Sequence, residues 1–377
     1  MDDGNESYLE PEEDRSAEHI ALMTCIFVVI TIVGVIGNGL ILLTVLLNSS
    51  MRTAPNVLLT NLAIGDLLIL TFWLPDQYVK TLDGHSESIT HSSRFMCIAV
   101  ESCQVISQSV SALTLTVLSL DRYFVITSTT GRSVSSLLKF YFAVVCFIWL
   151  VGLGFASPII YFAKFERFLD IINDNSSLAY EEYMDTYVCQ RMPLWTVSIR
   201  VYELCRATLL YVIPVLIIGT SYSLMARKLL GSLHNVRRLS SRTSSRSQQT
   251  RTRKRLAIAV LVIAILFAIC WLPEMAISIL RSIDTVYVYN IPTELTQDWA
   301  PLFVYINCCA NPIALGLTSL TFRRYFKRYL LFEFVRSIRT DDSTGTEYRY
   351  ISLTNRLQAV NKQNRTESIE STEVDKT

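Results

Sequence analysis

Charged residues are scarce in this sequence: they make up 18% of its 377 residues, whereas soluble domains carry about 25%. The sequence also lacks a glycine-rich phosphate-binding loop and a metal-spaced set of histidines and cysteines, and its 4 histidines are scattered through predicted loops. These absences argue against an enzyme. The net charge of +1 says little about partners, and no nucleic-acid partner is expected.

Hydrophobic residues supply 51% of the chain and occur in blocks, which is the pattern of a membrane protein. Seven of these blocks are about 20 residues long or longer, enough for a helix to cross a bilayer. They are residues 20–47, 56–80, 95–127, 137–162, 198–228, 255–280 and 299–317. The third, fifth and sixth contain polar residues and must therefore pack against other helices rather than face lipid.

After the last block, the stretch SLTFRRYFKRYLLFEFV pairs aromatic with basic residues, which predicts an amphipathic helix lying in the membrane interface against lipid. The predicted fold class is therefore an all-α membrane protein, a seven-transmembrane helix bundle with a short C-terminal amphipathic helix. We divide the chain into an acidic N-terminal tail (1–19), the bundle with its amphipathic helix (20–333) and a polar tail (334–377) expected to be disordered.

The distribution of lysine and arginine predicts the orientation of the bundle, because cytoplasmic loops are rich in these residues. Residues 1–19 contain one base, Arg15, among eight acids, whereas residues 227–255 contain ten bases and no acid. The N-terminus is expected outside and the C-terminus inside, in a multi-pass protein of the plasma membrane. No cleavable signal precedes the first span, which is expected to act as its own insertion signal. Sequons at Asn5 and Asn175 then lie outside and are open to glycosylation.

The sequence contains 9 cysteines, and most of them fall inside the spans, where free thiols behave as small hydrophobic residues. Two do not: Cys97 begins the third span and Cys189 lies in the acidic loop that follows the fourth. Both are expected on the oxidising side of the membrane, so they predict a disulfide between that loop and the third span.

An aspartate lies in the middle of the second span, where a charged side chain costs about 2.5–3.5 kcal/mol on insertion scales. This residue, Asp66, needs polar partners to offset that cost. The candidates are Asn38, Ser111, Asn307 and Asn311. A carboxylate with several neutral oxygens suits a hydrated sodium ion, and the alternative is a water-filled polar network without an ion. No other cofactor is expected.

The sixth span contains a proline with large aromatic residues beside it. Pro273 removes a backbone hydrogen bond and kinks the helix, and Trp271 and Phe267 lie just below it on one face. Such a kink can convert small ligand contacts into a movement of the inner half of the helix; a static kink is the alternative. The further candidates for a conformational switch are Asp121, Arg122 and Tyr123, Pro214 and Tyr222, and Pro312.

A second polar set lies nearer the outer ends of the spans. It comprises Glu101, Gln104, Gln108, Glu203, Arg206, Glu274 and Arg281. A membrane cavity lined by such side chains is the expected ligand-binding site. Glu203 and Arg206 are three residues apart on one helix, and the alternative for them is to pair with each other.

Together these residues resemble a rhodopsin-type (class A) G-protein-coupled receptor. The resemblance covers about residues 20–333. Its motifs are Gly37-Asn38, Leu62-Ala63-Ile64-Gly65-Asp66, Cys97, Asp121-Arg122-Tyr123, Trp149, Pro214 with Tyr222, Phe267 with Cys270-Trp271-Leu272-Pro273, and Asn311-Pro312. Within the family the chain is similar to neuropeptide receptors of the bombesin/endothelin type. Gln104 stands where amine receptors carry an aspartate, so an amine ligand is not expected.

The resemblance implies a cell-surface receptor that binds an extracellular peptide and activates a heterotrimeric G protein by outward movement of the sixth helix. Receptor kinases and arrestin are the further partners it implies. Among its departures from the family pattern, Leu315 replaces a tyrosine, and Arg253 and Lys254 stand where an acid would pair with Arg122. The alternatives are a class A receptor for a non-peptide ligand and a seven-helix transporter or channel; a transporter would carry inverted repeats and broken helices, which the sequence does not show.

Overall fold

The structure is a computed structural model, and it describes residues 17–82, 93–127, 134–167, 187–190, 197–236, 244–283 and 295–330. The two predicted glycosylation sites, Asn5 and Asn175, lie outside the described residues, as do most of the two terminal tails. The chain divides into two compact units, Met1–Phe322 and Arg323–Thr377.

Seven helices in the described part of the chain are long and apolar enough to cross a membrane, which confirms the seven predicted spans. They are α1 (Ala17–Leu47), α2 (Ala54–Leu82), α3 (Arg94–Thr127), α4 (Val134–Phe162), α5 (197–236), α6 (Ser244–Ile283) and α7 (295–318). Both α5 and α6 continue past the apolar blocks that predicted them, because backbone hydrogen bonding carries a helix beyond its apolar run. We call the end of the bundle at which α1 begins the outer end, following the expected orientation.

Three of these helices contain a turn that is wider than an α-helical turn. The π-helical turns are Ile69–Trp73 in α2, Thr208–Val212 in α5 and Leu295–Trp299 at the start of α7. Each accommodates an extra residue, and such turns are frequent at functional sites. Apolar blocks do not reveal them.

The amphipathic helix α8 (Leu320–Leu330) follows α7 after Ser319. Phe322 is buried, whereas Arg323, Arg324 and Lys327 are exposed. The helix predicted from the pairing of aromatic and basic residues is therefore present over Leu320–Leu330, and residues 331–335 of that pattern lie outside the described residues.

A short antiparallel pair of strands lies between α4 and α5: β1 (Lys164–Arg167) and β2 (Tyr187–Gln190), with Phe165 opposite Cys189. The strand β1 lies next to α3. Cys97, near the start of α3, is fully buried and disulfide-bonded, and the seven cysteines of the spans are free. The Cys189 side chain lies outside the described ones, so its pairing with Cys97 stays a prediction.

The third helix lies at the centre of the bundle. It packs against α2, α4, α5 and α6, and together with α7 it is the most buried of the spans, whereas α1 and α4 are the least buried. Polar side chains on α3 can therefore contact those of several helices at once.

Close packing of α1 on its neighbours depends on two glycines. A Cβ atom at Gly34 would lie 2.6 Å from Cδ1 of Leu70, and one at Gly37 would lie 2.5 Å from Cγ of Pro312. The proline ring is fixed to the backbone of α7, so it cannot turn away as a flexible side chain could. Next to these positions, Gly39 has open space, with no atom within 4 Å of the added Cβ.

We therefore expect Gly37→Ala to separate α1 from α7 and to lower the free energy of unfolding by about 1–3 kcal/mol, the usual cost of overpacking. The measurement is the thermal midpoint of the purified protein in detergent. Gly39→Ala is the matched control and should unfold like the wild-type chain. Equal midpoints for the two variants would contradict the close contact between Gly37 and Pro312.

Candidate functional site

The structure brings most of the predicted ligand-binding residues together in the outer half of the bundle. Those contributed by α3 and α5 are buried: Glu101, Gln104, Gln108, Glu203 and Arg206. Glu274 on α6 is half-buried. Arg281 lies near the end of the same helix, but its side chain is outside the described ones.

Arg206 is fully buried, and its guanidinium group connects three helices. Nε donates to Oε2 of Glu203 on the same helix at 2.8 Å, Nη1 donates to Oε1 of Gln108 on α3 at 2.8 Å, and Nη2 donates to Oγ of Ser278 on α6 at 2.7 Å. The Ser278 hydroxyl in turn donates to Oε2 of Glu203 at 2.7 Å. We call these four residues the Arg206 cluster.

The Arg206 cluster changes how the site can bind a ligand. Glu203 and Arg206 pair with each other, at 2.7 Å between Oε2 and Nη2, so the buried charge is already balanced inside the bundle. A ligand that reached Arg206 would have to exchange one of these bonds. Because buried charge-assisted bonds are strong, the cluster resists separation of the outer parts of α3, α5 and α6.

Two more bonds connect α3 to α6 beside the cluster. Gln104 Nε2 donates to Oε1 of Glu274 at 3.2 Å, and Gln108 Nε2 donates to Sδ of Met275 at 3.0 Å. Sequence reasoning identified Glu274 but missed Met275 and Ser278. Their spacing of four and seven residues from Trp271 places them on the same helical face, and that signal could have identified them.

The aromatic residues of the predicted switch lie below this polar layer. Trp271 and Phe267 are fully buried, with ring centroids 6.1 Å apart. The ring of Tyr211 lies 6.3 Å from that of Phe267, and its hydroxyl donates to the carbonyl of Ala268 at 2.6 Å. Tyr211 belongs to the π-helical turn of α5 and was missed by the sequence analysis. It joins α5 to α6 just below the kink at Pro273.

The three prolines proposed for the switch lie within continuous helical segments. Pro273 and Pro312 are inside α6 and α7, and Pro214 lies in α5 directly after the π-helical turn. Each removes one backbone donor, so each marks a place where its helix bends at low cost.

A network of amides and one carboxylate occupies the middle of the bundle. Asn311 Nδ2 donates to Oδ2 of Asp66 at 2.6 Å, and Asn38 Nδ2 donates to the carbonyl oxygens of Gly34 and Cys308, both at 2.9 Å. The thiol of Cys308 lies beside the Asp66 carboxylate. Ser111 is buried on α3.

Four buried amide and carboxylate oxygens on α1, α2 and α7 accept no hydrogen bond from the described part of the chain. They are the Oδ1 atoms of Asn38, Asp66, Asn307 and Asn311. Buried acceptors need a donor or a cation, and oxygens with one negative charge suit sodium or water. Among the described residues, no three His, Cys, Asp or Glu side chains come together as a metal site. The donor set therefore fits a hard monovalent cation or ordered waters.

A second polar network, not anticipated from sequence, joins α2, α3 and α4. Asn61 Nδ2 donates to Oγ1 of Thr114 at 2.8 Å, and Trp149 Nε1 donates to Oδ1 of Asn61 at 2.8 Å. The amide is thus satisfied on both sides by neighbouring helices. This network fixes α4 against the centre of the bundle.

The predicted switch residues at the inner end of α3 are also connected. Arg122 is 5% exposed, and its Nη2 pairs with Oδ2 of Asp121. The hydroxyl of Tyr141 on α4 donates to the other oxygen of the same carboxylate. Tyr123 is half-buried. The side chains of Arg253 and Lys254 lie outside the described ones.

A separate bond joins α5 and α6 near this end. The hydroxyl of Tyr222 donates to the carbonyl of Ala257 at 3.0 Å. At this end of the bundle, Arg122 is thus paired with its neighbouring acid, and α6 is bonded to α5.

Comparisons with known proteins agree with this architecture. The family model described as 7 transmembrane receptor (rhodopsin family) matches residues 37–314. The chain is similar to galanin receptor 2a of Danio rerio, with 28% identity over 320 residues, covering 81% of this chain and 77% of that protein. It is 30% identical over 311 residues to bombesin receptor subtype-3 of Ovis aries, covering 81% and 73%, and 30% identical over 332 residues to the [Phe13]-bombesin receptor of Bombina orientalis, covering 86% and 81%.

Proposed function

Since the chain belongs to the rhodopsin family of seven-transmembrane receptors, we propose that it is a cell-surface receptor for a neuropeptide or peptide hormone and activates a heterotrimeric G protein. One observation carries the proposal: the central helix α3 bears a layer of buried polar side chains near one end and a buried, acid-paired Arg122 at the other. A single rigid element thus connects the two sites. The names of the relatives, galanin and bombesin receptors, support a peptide as the ligand.

In the proposed mechanism the peptide enters from the outer end and contacts Gln104, Gln108 and Glu274. Binding shifts the population toward an open state only by the difference in affinity between the two states. Opening requires the inner half of α6 to move outward, which breaks the bond between Tyr222 and Ala257. Arg122 then leaves Asp121 and faces the G protein.

The remaining parts of the proposal concern the outside of the cell. The N-terminus lies outside, Cys97 pairs with Cys189, and Asn5 and Asn175 carry glycans. The acidic outer segments favour a peptide with a basic or amidated end, attracted by long-range electrostatics that weaken with salt. On the inner side, receptor kinases modify Ser and Thr residues of the tail, and arrestin binds the product.

The test is guanine-nucleotide exchange on membranes that contain the receptor and a panel of heterotrimeric G proteins, with a library of neuropeptides as stimuli. We expect at least one peptide to accelerate exchange, and untransfected membranes serve as the control. Peptide-driven solute flux without exchange would instead support a transporter or channel. Exchange stimulated only by non-peptide compounds would correct the ligand class.

We further propose that the Asp66 network holds a sodium ion, since its four unpartnered oxygens match that ion. Asp66 would supply the charge and the neighbouring amides the neutral oxygens. Such an ion would stabilise the closed arrangement of α2 and α7, because it would need oxygens from Asp66 on α2 and Asn311 on α7 at the same time.

Sodium chloride is expected to raise the thermal midpoint of the unliganded receptor relative to potassium chloride at equal ionic strength. The gain should be about 1.4 kcal/mol when sodium is about tenfold above its Kd, and Asp66→Asn should abolish it. Asp76→Asn is the matched control, since Asp76 is an equally buried acid on the same helix. Equal midpoints in the two salts would favour a water-filled network instead.

A further inference from the structure

We propose that Tyr141 on α4 is a positioning residue: its hydroxyl holds the Asp121 carboxylate against Arg122 and so limits activation in the absence of ligand. The inference rests on the proposed function of the Arg122 switch. It concerns a residue on a helix that the switch mechanism did not otherwise use.

Among the described residues, the Asp121 carboxylate has two partners, one on each oxygen. Arg122 Nη2 pairs with Oδ2, and the Tyr141 hydroxyl donates to Oδ1. In the described part of the chain, Asp121 is the one acid that pairs with Arg122. The orientation of this single carboxylate therefore decides whether the guanidinium is held.

Tyr141 is oriented inward on a helix whose neighbouring side chains are oriented outward. It is 5% exposed, whereas Phe140 and Phe142 are 60% and 67% exposed. Because the Tyr141 hydroxyl is shielded from solvent, water competes little for its hydrogen bond. A hydrogen bond to a charged acceptor is also stronger than one between neutral groups.

The packing of α4 explains why the bond from Tyr141 to Asp121 favours the closed state. The helix α4 packs on α3 and α2, and the network of Asn61 and Trp149 fixes it there. The tyrosine therefore ties Asp121 to a part of the bundle that the proposed movement of α6 leaves in place. Without the hydroxyl, the carboxylate can rotate and exchange Arg122 for water. The substitution therefore destabilises the closed state more than the open state.

Tyr141→Phe removes the hydroxyl and keeps the ring. We expect agonist-independent exchange, per folded receptor, to rise by roughly tenfold or more, because the closed state loses one hydrogen bond to a charged acceptor. Asp121→Asn should raise it too, and the double variant should show no further increase, because both changes act on one contact. Tyr161→Phe on the same helix is the matched control: Tyr161 is 78% exposed, and its rate should equal that of the wild-type receptor.

A second readout does not need a G protein. Spin labels are introduced through an unnatural amino acid at Phe124 on α3 and Ile258 on α6, which are 55% and 54% exposed, and their separation is measured by pulsed electron resonance in the unliganded receptor. We expect Tyr141→Phe to enlarge the long-distance population and Tyr161→Phe to leave it unchanged. If the distances of Tyr141→Phe match those of the wild-type receptor, the proposal is overturned, even if the variant is less stable. If the distances change but neither the wild-type receptor nor any variant supports exchange, the positioning role stands and the G-protein proposal fails.

Discussion

Replacing Arg206 with methionine is expected to lower the thermal midpoint of the receptor by about 10 °C, because it leaves Glu203 buried without its cation. Removing one partner of a buried ion pair costs about 3–5 kcal/mol. Each kcal/mol lowers the thermal midpoint by about 2–4 °C in domains of about 150–250 residues. Gln108 and Ser278 lose hydrogen-bond partners in the same change. The measurement is thermal unfolding of the purified protein in detergent.

The double variant Glu203→Gln with Arg206→Met distinguishes the lost charge balance from the lost packing. It removes both charges and keeps an amide that can accept from Ser278, so most of the midpoint should return. Leu204→Met is the control on the same helix, because Leu204 is 58% exposed and should tolerate the change. If the single and the double variant unfold at the same temperature, the ion pair is not what stabilises the outer end.

Arg122→Ala is expected to reduce agonist-stimulated exchange to background while the agonist still binds. In the closed state Arg122 pairs with Asp121, and in the proposed open state it faces the G protein, so its removal affects the effector side and spares the ligand cavity. The two measurements are nucleotide exchange and radioligand binding on the same membranes, with the ligand that the library screen identifies.

Arg52→Ala serves as the comparison for this variant. Arg52 is an exposed arginine in the turn between α1 and α2, where it donates to the carbonyl of Leu46. Removing it changes the inner charge by the same amount without touching α3. Normal exchange by Arg122→Ala would refute the role of Arg122 as the switch, and loss of ligand binding would show that its effect is on the fold.

The sequence was informative about helices because a bilayer imposes a length and an apolar composition on each span. It could not locate the inner ends of α5 and α6, since α5 continues through the mixed stretch LLGSLHNV and α6 begins in the basic, serine-rich stretch SSRSQQTRTRK, and neither stretch has a continuous apolar signal. The pairing of Asp66 with Asn311 followed from the cost of a charge in the membrane. The unpartnered oxygens of the same network were not predictable, because they depend on which way each amide is oriented.

The residues that the sequence analysis missed share a physical cause. Tyr211 and Tyr141 act through contacts between helices, and such contacts depend on how each helix is rotated about its axis. A rotation can be derived from spacing only within an uninterrupted helix. The aromatic and hydroxyl groups concerned are also ordinary residues of an apolar span, so composition does not single them out.

The wide turn at Thr208–Val212 has a consequence for how this chain is aligned with its relatives. The turn accommodates one residue more than an α-helical turn does, so a relative without it would need a gap there, and an ungapped alignment would be one residue, or about 100° of helical rotation, out of register over Val197–Ala207. The residues of a relative that correspond to Glu203 and Arg206 can therefore be identified only after this turn has been located in both chains.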